Sequence, residues 1–216
     1  MRDKISAGIV SVVIPCYKQA YFLPDSIGSV LAQTYPGTEL IVVDDGSPDN
    51  VPELVERYPG ARCVRQENRG LAEARNAGFR ASTGAYVVFL DADDRLIPNA
   101  VESHLSCFAK HPEAGFVVGD IDQISLDGSH ADSPRWPALE ANHYEEMLRV
   151  NHVANTIAVM FPAPRLNSSA VLTRRARRRR TTNSYYVPRG YFRARIITRL
   201  SPNTGAIPQT SPARVQ

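Results

Sequence analysis

The sequence predicts an α/β fold, a mostly parallel sheet sandwiched by helices. Three observations carry this: short β-branched apolar runs recur, segments of helical periodicity separate them, and each run stops abruptly at acidic or turn-forming residues. With 216 residues and 43% hydrophobic composition, the chain can bury one sizeable core.

Ile9 to Ile14 is a β-branched run closed by Pro15, read as a buried strand. Leu23, Ile27, Val30 and Leu31 then fall at helical spacing, and Tyr35-Pro36-Gly37 ends that helix. Leu40 to Val43 is a second buried strand, broken by Asp44-Asp45-Gly46-Ser47-Pro48. Leu54, Val55 and Tyr58 suggest a short helix, and Arg62 to Arg65 a short strand. Leu71 to Ala81 is rich in helix formers and closes at Ser82-Thr83-Gly84. Tyr86 to Leu90 is a strand that ends in Asp91-Ala92-Asp93-Asp94. A helix at Val101 to Phe108, a strand at Phe116 to Val118, a helix at Tyr144 to Val150 and a strand at Thr156 to Phe161 complete the pattern.

Charge divides the chain. From Pro164 onward there are 12 Arg and no Asp or Glu, so the part before it holds 13 basic and 22 acidic residues, a balance of −9 (13 minus 22). The three cysteines, Cys16, Cys63 and Cys107, are too scattered for a disulfide framework or a zinc site and fit a reducing compartment. No segment approaches the roughly 20 apolar residues of a membrane span. The expected setting is the cytoplasm, with at most peripheral association at the inner face of a membrane.

Both acidic clusters follow apolar strands, and open α/β sheets bind ligands at the carboxyl ends of their strands. Asp91, Asp93 and Asp94 crowd three carboxylates into four residues, which a hard divalent cation would relieve. The alternative is a solvated turn with Asp94 capping a helix. Asp44-Asp45-Gly46-Ser47 offers carboxylates to a base or ribose edge, but is equally an ordinary Asx turn.

In series the blocks say more. Val12-Val13-Ile14-Pro15-Cys16-Tyr17-Lys18, Ser29-Val30-Leu31-Ala32-Gln33-Thr34-Tyr35, Glu39-Leu40-Ile41-Val42-Val43-Asp44-Asp45-Gly46-Ser47, Asn68-Arg69-Gly70-Leu71-Ala72-Glu73-Ala74-Arg75-Asn76-Ala77-Gly78 and, after Gly84, Phe89-Leu90-Asp91-Ala92-Asp93-Asp94 resemble, in order and spacing, the family 2 glycosyltransferases. The resemblance implies a GT-A nucleotide-diphospho-sugar transferase fold, incomplete at the C-terminus. It implies a nucleotide-diphospho-sugar donor, a saccharide or lipid-linked acceptor, Mg2+ or Mn2+ as cofactor, no specific nucleic acid, and a setting in cell-surface polysaccharide or glycolipid synthesis. By position, Pro15 and Tyr17 line the nucleotide pocket, Asp45 holds the base and Arg75 sits near the base or diphosphate. Asp91 and Asp93 form the D-x-D, with Asp93 or Asp94 on the metal. Packing for Tyr17 and a surface place for Arg75 remain open at this point. A sugar-phosphate nucleotidyltransferase would need a Gly-rich loop after the first strand, where Pro15-Cys16-Tyr17-Lys18 stands.

The resemblance covers residues 1–161, the expected nucleotide-sugar-binding domain. Residues 162–216 read as a basic tail, disordered or out of frame. The family continues into Gly-Gly-Phe-Asp and an acidic Glu-Asp pair that supplies the general base, whereas this chain has no carboxylate after Glu146. If each codon is rebuilt from a free first base plus the first two bases of the residue present, Ala170-Val171-Leu172-Thr173 can encode Gly-Gly-Phe-Asp, and Arg180-Thr181-Thr182-Asn183 can encode Glu-Asp-Tyr-Glu. A reading frame displaced near Phe161 to Pro164 accounts for both, and leaves a chain expected to bind donor with the catalytic base missing. The competing reading is an inactive nucleotide-binding module whose Arg tail grips an acidic partner.

Overall fold

The computed structural model describes residues 8–125, 130–131, 159–167 and 191–201. Its strands are β1 (Val10–Cys16), β2 (Thr38–Asp45), β3 (Ala61–Gln66), β4 (Tyr86–Phe89), β5 (Asp94–Leu96), β6 (Phe116–Ser125), β7 (His130–Ala131), β8 (Val159–Pro162) and β9 (Tyr191–Ser201). Its helices are α1 (Leu23–Leu31), α2 (Val51–Val55), α3 (Leu71–Ala81), α4 (Ala100–Lys110) and α5 (Ala163–Asn167). They form one mixed sheet in the order β3-β2-β1-β4-β8-β6-β9-β5, with β7 on β6.

The expected α/β architecture is present. β1 pairs in parallel with β2, from Val10↔Thr38 to Cys16↔Asp44, and with β4, from Val10↔Tyr86 to Val13↔Phe89. Every residue of β1 is buried, as the unbroken apolar run requires of a central strand covered on both faces. Val13, Ile14, Ile41, Val42, Val87 and Leu90 form the centre of the core. α1 contributes Leu23, Ile27 and Val30, while Leu31 is 47% exposed, so its apolar stripe is narrower than the spacing suggested.

α3 lies on β1 and β2 because Gly78 allows it. A Cβ there would run into the Val13 side chain and stand 3.0 Å from Val43 Cγ2. This close approach fixes the helix that carries Arg75.

Two differences from the sequence reading concern the later part of the chain. β5 was not anticipated: Asp94 begins a three-residue strand rather than capping a helix, too short to leave an apolar run. The tail supplies β9, parallel to β6 and antiparallel to β5, where its apolar periodicity predicted nothing. Tyr191, Phe192, Ile196, Ile197 and Thr198 are strand-forming residue types despite the three interspersed arginines. The helix expected at Tyr144 to Val150 and the arginine run Arg174 to Arg180 lie outside the described residues.

Candidate functional site

The chain leaves β1 towards β2 and β3, then returns to the other side of β1 at β4. That reversal opens a crevice at the carboxyl ends of β1 and β4, the usual ligand position in an open α/β sheet. Leu90 N donates to Val13 O (2.9 Å), carrying the β1–β4 pairing to the threshold of Asp91. Val13 therefore faces β4, and by two-residue alternation so does Pro15, one step beyond the last β1–β4 pair. The missing proline N–H falls where the ladder has ended and costs no strand hydrogen bond.

Tyr17 follows β1 and is 41% exposed, with Lys18 Nζ 5.3 Å from its ring centroid. Lys18 has φ of 57°, the one non-glycine residue with positive φ among those described. The turn after β2 supports this strained loop. Ser47 Oγ accepts from Lys18 N (2.8 Å), Asp49 Oδ2 accepts from Ala20 N (3.2 Å), and Ser47 N donates to Asp44 Oδ1 (2.8 Å). Packing alone does not explain so exposed a tyrosine. Cys16, just below, is buried and its thiol is pushed up to about 12, first by desolvation, so it is no nucleophile at neutral pH.

Asp45 is 2% exposed and acts as a clamp. Its Oδ1 accepts from Gln66 Nε2 (2.7 Å) and Arg69 N (2.9 Å), and its Oδ2 from Gly70 N (2.8 Å). The carboxylate thus ties the β3–α3 loop and sits at the α3 N-terminus, where the helix dipole favours negative charge. Gly70 takes φ of 86° and Gly46 φ of 68°, and a Cβ on Gly46 would stand 2.7 Å from Asn68 N. Of the roughly four lone-pair directions of a carboxylate, about one remains for a ligand N–H.

Arg75 is not a surface residue. Its side chain is 4% exposed and Nη2 donates to Asp91 Oδ1 at 2.6 Å, while the Asp91 side chain is 26% exposed. Arg75 Nε is buried without a hydrogen-bond partner among the described residues. Asp91 and Asp93 are both partly exposed. Asp94, expected beside Asp93 as a metal ligand, is instead 1% exposed at the start of β5, so Asp91 and Asp93 hold the open face of the turn.

Among the described residues no group of three or more His, Cys, Asp or Glu is placed to hold a metal. One or two carboxylate oxygens are nevertheless the donor set that Mg2+ or Mn2+ shares with phosphates and water.

The structure thus brings Tyr17, Asp45, Arg75, Asp91 and Asp93 to one edge, with Pro15 beneath. Sequence reasoning missed Ser47, Gln66 and Gly70, whose roles appear only when two loops are seen bonded to each other.

The family model for glycosyl transferase family 2 matches residues 11–176, most of the chain. The chain belongs to that family. Among relatives of this family 2 chain, an uncharacterized glycosyltransferase of Nostoc sp. is 42% identical over 126 residues, covering 56% of this chain and 38% of that protein. Glycosyltransferase GlyG of Streptococcus pneumoniae is 34% identical over 117 residues, 52% and 38% of the two chains. S. aureus TarS, residues 1–349, superposes with a TM-score of 0.66 at 17% identity, covering 90% of this chain and 61% of that one. The same protein in complex with UDP-GlcNAc superposes at 0.59 and 19% identity over 74% of this chain and 47% of that one. These figures establish the GT-A fold, and the chain spans 38% of the length of each of the two sequence relatives. No described helix is long and apolar enough to cross a membrane.

Proposed function

We propose that the edge formed by β1, β2 and β4 binds the nucleoside diphosphate of a nucleotide-sugar, and that the family reaction served by this site is inverting transfer of the sugar to an acceptor hydroxyl. The observation that carries this is the Arg75–Asp91 pair at the switch point, a buried cation beside a half-open carboxylate. Tyr17 offers its exposed ring to a base, Asp45 offers its remaining lone pair, and Arg75 sets positive charge near the departing phosphates.

Asp91 and Asp93 would hold Mg2+ or Mn2+, which when bound supplies further positive charge against the diphosphate. As the sugar C1–O bond breaks, charge grows on the leaving diphosphate. Arg75, already fixed by Asp91, stabilises that charge without reorganising. Inversion also needs a carboxylate to take the proton of the acceptor hydroxyl from the opposite face. After Glu146 this chain has none, so we propose that it binds donor and transfers sugar poorly or not at all, because of a displaced reading frame near Phe161 to Pro164. From the motif resemblance, we propose a saccharide or lipid-linked acceptor in cell-surface polysaccharide or glycolipid synthesis, on the cytoplasmic side.

Incubation with UDP-, GDP-, CDP- and dTDP-sugars in Mn2+ tests this. Binding without turnover is expected, and robust turnover would contradict the impaired half of the proposal. Resequencing codons 158 to 185 tests the frame: codons unable to give the family motifs one base over would sink that explanation.

A further inference from the structure

The Ser29 to Tyr35 block forms the end of α1 and the loop after it, and nothing in the donor site uses it. Its polar side chains nevertheless converge on one target, the chain that leaves the Asp91–Asp94 turn. Gln33 Nε2 donates to Ile97 O (2.8 Å) and to Ser29 O (3.0 Å), while Gln33 Oε1 accepts from Val101 N (3.0 Å). Ser29 Oγ accepts from Leu96 N (3.1 Å), and Thr34 N donates to Pro98 O (2.8 Å). Thr34 Oγ1 donates to Glu102 Oε2 (2.9 Å).

The turn itself has a firm entrance. Leu90 N is bonded to Val13 O, and Asp91 is bonded to Arg75. Its exit, β5, is a three-residue strand that pairs with β9 and with no strand of the parallel half. The link from that exit back to the β1–β4 half passes through the end of α1 and the loop after it, and Gln33 is its centre, because its one side chain makes three of these bonds and reaches both the strand exit and the first turn of α4.

We infer that Gln33 is a positioning residue for the acidic turn. It braces α1 against residues 96–101, so that Asp91 and Asp93 are presented to the diphosphate and metal at a fixed spacing from Arg75. Few side chains other than a primary amide fill the place, since one end must donate to two carbonyls while the other accepts from an N–H. The inference rests on the donor-site reading given above and extends it to a residue that touches no ligand.

The test uses the full chain as wild type, Gln33→Ala and Gln33→Glu, with two readouts. Hydrogen exchange is followed along the chain, and binding of UDP, in the presence of Mn2+, is compared with binding of uridine. The variants are expected to lose protection at residues 90–101 while β1 to β3 keep theirs, with UDP binding weakened about 5- to 10-fold and uridine binding unchanged, the scale of one or two lost hydrogen bonds. Gln33→Glu, which keeps the acceptor for Val101 N, should lose less protection at residues 99–101 than Gln33→Ala. Unchanged exchange at 90–101, or loosening spread evenly over the sheet, overturns the inference. Equal loss of uridine and UDP binding also overturns it. Local loosening in the variants together with wild-type protein that binds none of UDP, GDP, CDP and dTDP in Mn2+ would leave the brace standing and count against the donor-site reading instead.

Discussion

The β1–β4 half of the sheet and the half beyond it manage charge differently. At the carboxyl edge of the first half, Asp44, Asp45 and Asp91 each have a bonded partner close by. Asp44 takes Ser47 N, Asp45 takes the Gln66 side chain and the N–H groups of Arg69 and Gly70, and Asp91 takes Arg75. Beyond β6 the sequence changes character, with 12 arginines and no carboxylate from Pro164 onward. Under the proposed function, the first half meets a negative ligand with Arg75 and loops already held in place. That stretch, from Pro164 onward, lacks the residue type that proton transfer needs. Under the proposed function, donor binding and sugar transfer come apart in this chain for that reason.

The sharpest way to break the first half is through its backbone contact. Gly78→Val would force α3 off β1 and β2 and should cost about 3 kcal/mol, read as a shifted urea midpoint. A variant of wild-type stability would show that α3 does not depend on that contact. Arg75→Ala comes next, with an expected loss of about 2 kcal/mol, below the range for a fully buried pair because the Asp91 side chain stays 26% exposed. Its affinity for a nucleoside diphosphate should fall at least about tenfold, since a buried cation is lost from the site. Asp45→Asn should cost about 1 kcal/mol, because an amide nitrogen would face one of the donors now satisfied by a carboxylate oxygen. Faster exchange should appear at Arg69 and Gly70, and unchanged protection there would argue against the clamp.

The smallest effect lies at the opposite edge of the sheet. Burial pushes the Glu39 carboxyl up, but hydrogen bonds from Ser11 and Thr83 and the nearby Arg62 outweigh this and hold it below its ordinary 4.5. A depressed folded-state value means stability that is complete above 4.5 and lost as pH falls through the lower folded-state value. Glu39→Gln should flatten that acid limb slightly, and an identical pH profile would remove Glu39 from the account.

The legible parts of the fold were those with long apolar runs: β1, β2 and β4 announced themselves because central parallel strands are buried on both faces. β5 was hidden by its three-residue length, and β9 by arginines set among strand-forming residues. In the site, Pro15, Tyr17, Asp45, Arg75, Asp91 and Asp93 could be named from motif order. That Arg75 is buried could not, since an arginine in a helix reads as exposed until its partner across 16 residues is seen. Likewise Asp45 read as a turn residue or a base ligand, and its grip on the β3–α3 loop depends on β2 and β3 lying side by side.

The central claim is that the β1–β4 edge binds a nucleoside diphosphate through the pair Arg75 and Asp91. Calorimetric titration of the wild-type chain and Arg75→Ala with UDP, GDP, CDP and dTDP in Mn2+ tests it most directly. Saturable, Mn2+-dependent binding of at least one of these, lost or weakened at least about tenfold in Arg75→Ala, is the predicted result. Failure of all four to bind the wild type, or equal binding by the variant, would contradict it.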